Sequence, residues 1–498
     1  MADDLVPAAA QRRAAPARGA AQLITYADRL GGDLRRLREL LDGPLDGLFG
    51  GVHVLPFFRP FDGADAGFDP EDHTEVDPRL GSWDDVRRLA ERHDVMADLV
   101  VNHVSAGSDA FRDVRARGSA SPHAPMFLTF SSVFPDGATE ADLLRLYRPR
   151  PGLPFTRMRL GGADRLVWTT FTDRQVDIDV RSDAGRAYLR EVLRRLADAG
   201  VDAVRLDAVG YAVKTAGTSS FMTPETYAFI DDTVGHVHEL GMRALLEVHA
   251  SHEVQLEVAR RVDLVYDFAL PPLVLHALHT ADAAPLRHWL AIRPQNVVTV
   301  LDTHDGIGIV DVAALLPSDQ LHALVEHIHD ASGGTSRLAT GTAASNVDLY
   351  QVNCTYYDAL GRDDDRYLLA RLIQLFVPGR PQVYYVGLLA GGNDMDLLAR
   401  TGIGRDVNRH RYSDDEVRSA LQRPVVRRIA AALRLRNTHP AFGGTCTVDG
   451  DDRVLRLRWV DGAAAAELAA DLRDASYVLT LTERGAMRVV RDVGTLVP

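Results

Sequence analysis

Eight short apolar runs between residues 22 and 389 constrain the fold more than any other feature. They are QLITYA (22–27), GVHVLPF (51–57), DVMADLVVNH (94–103), GVDAVRLDAV (200–209), RALLEVH (243–249), DLVYDFAL (263–270), VVTVLDTHD (297–305) and RPQVYYVGLL (380–389). A strand that is apolar on both faces has to be covered on both. The segment before the fourth run, SDAGRAYLREVLRRLADAG, supplies such a cover. Tyr188, Leu189, Val192, Leu193 and Leu196 recur at helical spacing. Ser182 or Asp183 can cap its start and Gly200 its end. Apolar strands alternating with amphipathic helices predict a parallel sheet, and eight of them predict an α/β fold of the (β/α)8 barrel class.

Two connections are too long for one helix, and long ordered connections tend to be functional. The expected organisation is a barrel built from 21–100, 182–306 and 362–441, with an insert domain at 101–181 after the third strand and another at 307–361 after the seventh. Past residue 441 the pattern changes to RVLRLRWV, ASYVLTLT and AMRVVRDV, which predicts an all-β domain over 442–498. Residues 1–20 are rich in Ala, Arg and Pro. Their QRR lacks the apolar block of an export signal, so a disordered tail is expected.

A formal net charge of −13 and a pI near 5.8 argue against nucleic acid and anionic membranes as partners. No apolar run approaches the roughly 18 residues of a membrane span. A soluble cytoplasmic protein is expected. Cys354 and Cys446 are the only cysteines, too few for a disulfide framework or a zinc knuckle. Lys214 is the sole lysine among 56 Lys and Arg residues, which reads as compositional bias rather than mechanism.

The charges inside apolar runs point to chemistry. Arg205 and Asp207 are two apart and share one strand face, directed into the barrel, with Leu206 and Ala208 toward the helices. Glu247 and His249 pair in the same way. The seventh run ends in His304 and Asp305, and the third in Asn102 and His103. The C-terminal strand ends of a barrel form one rim, where active sites sit. One Arg-x-Asp is commonly a structural ion pair, but four strands delivering acids and histidines to one rim is not explained that way. Three convergent carboxylates suit glycosidic chemistry, with one as nucleophile, one as acid and one stabilising a cationic sugar. Magnesium or calcium binding competes for the same residues, although Arg205 would repel a cation.

Other signals are weaker. His322, Glu326, His327 and His329 in HALVEHIHD read as a polar helix face rather than a metal site. The GIG after the seventh run lacks the rest of a dinucleotide fingerprint, and no GxxxxGK occurs.

ADLVVNH, VRLDAVGY, LLEVHA and VLDTHD resemble the four conserved regions of the α-amylase-type glycoside hydrolases. PFDGADAGFDP, YDFALPPLVLHAL, SNVDLYQVN, PQVYYVGLLAG and GRDVNRH resemble the sucrose phosphorylase subgroup of that family, in order from about residue 22 to 440. The resemblance implies Asp207 as nucleophile, Glu247 as general acid/base and Asp305 as the stabilising carboxylate. It implies Arg205 as the cation that keeps the nucleophile ionised. Asp65, Phe68, His103, Phe171, Gln175, His249, His304, Asp348, Gln351 and Arg405 are implied as substrate-binding residues, and Arg150 and Tyr350 as phosphate-binding residues. The implied reaction converts sucrose and inorganic phosphate to α-D-glucose 1-phosphate and fructose by retaining double displacement, with no cofactor or metal. A homodimer is expected. Sister phosphorylases acting on sucrose 6-phosphate, glucosylglycerol or glucosylglycerate are the nearest alternatives, followed by an α-glucosidase or transglucosidase and a non-catalytic sugar binder.

Overall fold

The computed structural model describes residues 20–63, 65–149, 152–341 and 350–496. All eight runs contain a strand: β1 (Gln22–Thr25), β2 (Gly51–Val54), β3 (Asp94–Val100), β4 (Ala203–Asp207), β5 (Arg243–Leu246), β6 (Leu264–Asp267), β7 (Val297–Thr299) and β8 (Arg380–Tyr384). They close into one barrel in which each strand pairs in parallel with its chain neighbours and β8 pairs with β1. The expected tail over 1–20 lies outside the described residues, save Ala20.

Strand alternation sorts the side chains. Leu99, Val204, Leu206, Leu246 and Val383 pack outward in the large core shared with the helices. Met96, Ala203, Leu245, Tyr266, Val298 and Val300 form a separate cluster. The helix before β4 runs Asp183–Asp198, and Ser182 caps it by accepting from the Gly185 amide. Alternation stops sooner than the sequence suggests. β4 ends at Asp207, and Ala208 turns into the left-handed region at φ 55°. Its side chain therefore lines the pocket above the barrel instead of facing the helices.

The connection after β3 carries its own small core of Leu128, Val133, Phe134, Leu146 and Trp168. It returns to the barrel through a two-stranded pairing of His103–Ser105 with Gln175–Asp177. Here Lys214 has a specific place. Its buried ammonium donates to the Asn102 amide oxygen at 2.7 Å and to the Tyr211 carbonyl, and pairs with Asp177 at 2.7 Å. One cation thus joins the end of β3, the turn after β4 and the insert.

The connection after β7 holds helices Ser318–Ala331 and Thr335–Thr340 and a short pairing of Ile307–Gly308 with Gln351–Val352. The chain closes in a five-stranded antiparallel sheet over Thr445–Val490. The Arg436 guanidinium of the preceding helix lies over the rings of Phe442 and Trp459, which meet each other at 5.7 Å. No helix among the described residues is long and apolar enough to cross a membrane.

Candidate active site

The strand ends open into one pocket. Asp65, Phe68, His103, Phe171, Gln175, Asp207, Glu247, His249, His304, Asp305, Tyr350, Gln351 and Arg405 all line it. Arg205 lies beneath, buried between Asp98 and the carboxylates of Asp207 and Glu247. Its guanidinium is 2.5 Å from Asp98, 3.0 Å from Asp207 and 3.9 Å from Glu247. Asp98 is held in turn by His53 at 3.1 Å. The turn at Ala208 aims its backbone amide at Glu247, 3.1 Å from Oε2. The left-handed residue after Asp207 thereby helps to position the Glu247 carboxylate.

Asp305 sits opposite. Arg405 donates to it at 2.5 Å and to Asp65 at 3.3 Å, and buried Arg409 approaches both. Phe68 stacks on His304 with centroids 4.7 Å apart, and Phe171 meets His103 edge-on at 5.3 Å. His103 Nε2 donates to the Phe68 carbonyl at 2.8 Å, with the Gln175 amide packed beside it at 3.0 Å. The result is a small polar bowl with two aromatic walls, suited to one sugar ring.

The charges are uneven. Burial acts to raise the Asp305 carboxyl, but His304, Arg405 and Arg409 outweigh it and hold the group well below the usual carboxylate range. Burial pushes Asp207 the other way, well above that range, with Arg205 opposing and Glu247 and Asp98 adding to the rise. Arg205, 3.0 Å away, acts in the direction the sequence resemblance implies, favouring the ionised form of Asp207. Burial keeps His103 and His304 neutral, taking His304 down to about 3. His249 behaves differently. Burial would lower it, yet the contact with Asp311, aided by Glu247 and Asp305, lifts it to about 9.

Glu247, His249 and Asp305 offer ligand atoms within 4.8 Å of one another, a grouping that could hold a metal ion. The imidazolium character of His249 and the guanidinium 3.9 Å from Glu247 oppose a cation there. The HALVEHIHD residues do not converge. Glu326 pairs with Arg337, His327 stacks on His279, and His329 hydrogen-bonds Ser336.

Arg150 and Asp348 lie outside the described residues. Arg148, a second arginine of the same loop, is exposed and donates to the Gly152 carbonyl at 3.3 Å. The pocket also takes in Pro149, Ala208 and Tyr211, none of which the sequence singled out. Tyr211 stands edge-on to Phe171 at 5.2 Å, four residues past Asp207. Its position follows from the turn at Ala208, which strand periodicity does not foresee.

The alpha-amylase catalytic domain family matches residues 25–255. A sucrose phosphorylase of Agrobacterium vitis is 58% identical over 92% of this chain and 96% of its own. One from Bifidobacterium adolescentis is 54% identical over 86% and 88%. The crystal structure of a sucrose 6F-phosphate phosphorylase from Thermoanaerobacter thermosaccharolyticum superposes with a TM-score of 0.90, at 38% identity over 95% of this chain and 97% of that one. With its closed barrel and carboxylate-lined rim, the chain belongs to the sucrose phosphorylase family of α-amylase-type enzymes.

Proposed function

We propose that the chain phosphorolyses sucrose to α-D-glucose 1-phosphate and fructose by two displacements at one carbon, as a hexosyl-transferring enzyme. The observation that carries this reading is the bowl itself: Asp207, Glu247 and Asp305 line one pocket that His249, Tyr350 and Gln351 also line. Asp207 attacks the anomeric carbon while Glu247 gives its proton to the departing fructosyl oxygen, which leaves a β-glucosyl ester on Asp207. That step needs the proton on Glu247 and the charge on Asp207. Arg205, nearer to Asp207 than to Glu247, favours this distribution. Ionised Asp305 faces the cationic character that develops at the sugar. A phosphate oxygen then attacks the same carbon, the bond to Asp207 breaks with its electron pair returning to the carboxylate, and Glu247 takes up any proton released. Two inversions retain the α configuration.

His103, His304, Asp65, Arg405, Gln175, Phe68 and Phe171 bind the glucosyl ring in this reading. Tyr350, Gln351 and His249 meet the acceptor, together with Arg150 and Asp348. Burial keeps the Tyr350 phenol protonated and able to donate. Sucrose is favoured over the sister substrates because identity to the two sucrose phosphorylases, 58% and 54%, exceeds the 38% shared with the sucrose 6F-phosphate enzyme. The acidic composition and the free thiols of Cys354 and Cys446 support a cytoplasmic setting. The homodimer is carried by the sequence resemblance.

Incubation with sucrose, with and without phosphate, tests the reading. Phosphate-dependent glucose 1-phosphate is expected. Free glucose at every phosphate concentration indicates a hydrolase, and turnover of sucrose 6-phosphate or glucosylglycerol in place of sucrose indicates a sister phosphorylase.

A further inference from the structure

We propose that Asp311 is a positioning residue that holds His249 as an imidazolium at the acceptor side of the pocket, and that this cation favours phosphate over water as the second acceptor. The inference rests on the phosphorolytic reading above and deepens it.

Asp311 is 1% exposed and does not line the pocket. It sits on the one-turn helix Val310–Val312, just beyond the short strand that follows Asp305. Its Oδ2 is 2.8 Å from His249 Nδ1, while Oδ1 accepts from the buried Gln255 amide at 3.3 Å. Gly308 makes this approach feasible, since a Cβ there would lie 2.2 Å from Asp311 Oδ2. The imidazole is fixed on its other sides as well. Phe268 stacks on it with centroids 4.0 Å apart, and Tyr350 meets it edge-on at 5.5 Å. With Nδ1 committed to Asp311, Nε2 faces Glu247 Oε1 at 3.6 Å.

Such a cation answers a difficulty of the second displacement. Phosphate must approach Glu247 and Asp305, two carboxylates that repel it. Water meets no such repulsion. Arg405 is engaged with Asp305 and Asp65 at the glucosyl side, and Arg148 is turned to its own loop. Among the described residues on the acceptor wall, His249 is the group able to carry positive charge. The Asp311 carboxylate holds the proton on Nδ1 and, with Glu247 and Asp305 nearby, favours the imidazolium, whose Nε2–H can donate a charge-assisted hydrogen bond to the incoming anion.

The test is Asp311→Asn, which keeps the shape and removes the charge. Glucose 1-phosphate and free glucose are measured from sucrose across a phosphate titration, with the thermal melt recorded alongside. The phosphate half-saturation is expected to rise about tenfold or more, the size of one lost charge-assisted hydrogen bond, with the product ratio falling in step. Cleavage of sucrose without phosphate should change far less. His249→Gln should raise the phosphate half-saturation at least as far, and adding Asp311→Asn to it should have little further effect on that half-saturation. A folded Asp311→Asn protein with unchanged phosphate half-saturation overturns the proposal, as does equal loss of hydrolysis and phosphorolysis, which marks a structural role. If Asp311→Asn does not fold, Gly308→Ala, which displaces the carboxylate, is read by the same two rates. A wild-type protein that forms no glucose 1-phosphate removes the phosphorolytic reading itself, a result distinct from an unaffected variant.

Discussion

The two ends of the pocket are built differently. At the glucosyl end the charged groups come from the barrel strands and the segments beyond their ends and are tied to one another: Arg205 to Asp98 and Asp207, and Arg405 to Asp305 and Asp65. At the acceptor end the wall comes from the inserts, with Pro149 from the first and Tyr350 and Gln351 from the second. Among the described residues, only His249 brings a buried ion pair to that wall, through Asp311. In the proposed reaction the barrel end would govern how the first bond is broken, and the acceptor wall which molecule completes the reaction. Substitutions at the two ends should separate these steps.

The largest effect belongs to the glucosyl end. Asp207→Asn cannot form the ester, and sucrose turnover should fall by about 10^4-fold or more, as for other lost nucleophiles. A variant retaining a tenth of the wild-type rate removes Asp207 from that role. Glu247→Gln should lower the rate on sucrose by about 10^2- to 10^4-fold, the range of general acid help. A donor that needs no proton, such as α-glucosyl fluoride, should lose far less in the first displacement. Equal damage to both donors would give Glu247 another function.

The acceptor end should yield smaller, selective changes. Arg150→Ala should weaken phosphate use about ten- to a hundredfold, from about 1.5–3 kcal/mol for a charged hydrogen bond, while the glucosyl ester still forms. The ratio of glucose 1-phosphate to glucose should also fall, by a smaller factor, as pH rises through about 9, where His249 loses its proton. Its charged neighbours Asp311, Glu247 and Asp305 all favour the protonated ring. The nearby phenols of Tyr350, Tyr211 and Tyr147 are raised by burial, so they do not titrate in that window. A ratio independent of pH across this range would detach His249 from phosphate selection.

The same contrast separates what the sequence reveals from what it hides. Barrel strands announce themselves through continuous apolar runs, and the acids and histidines at their ends are conspicuous because the runs are otherwise uncharged. Arg205, Asp207, Glu247 and Asp305 are legible for that reason. Ala208 is not, because nothing in its residue type signals the left-handed turn that brings its amide to Glu247. Tyr211 is hidden by the same turn. Asp311 escapes notice because its partner lies 62 residues away, on a different strand end. The place of Lys214 is hidden too, because only the fold brings Asn102, Asp177 and the Tyr211 carbonyl around one ammonium.

The division between the two ends depends on a covalent stage that separates them. Glu247→Gln incubated with α-glucosyl fluoride without phosphate, then quenched and digested, should yield one glucosyl unit on the peptide bearing Asp207, detected by mass spectrometry and lost when Asp207 is also changed to Asn. A fully unmodified Asp207 peptide from protein that still releases fluoride, with the glucosyl unit found on another residue or with β-glucose 1-phosphate formed directly once phosphate is added, would contradict the double displacement.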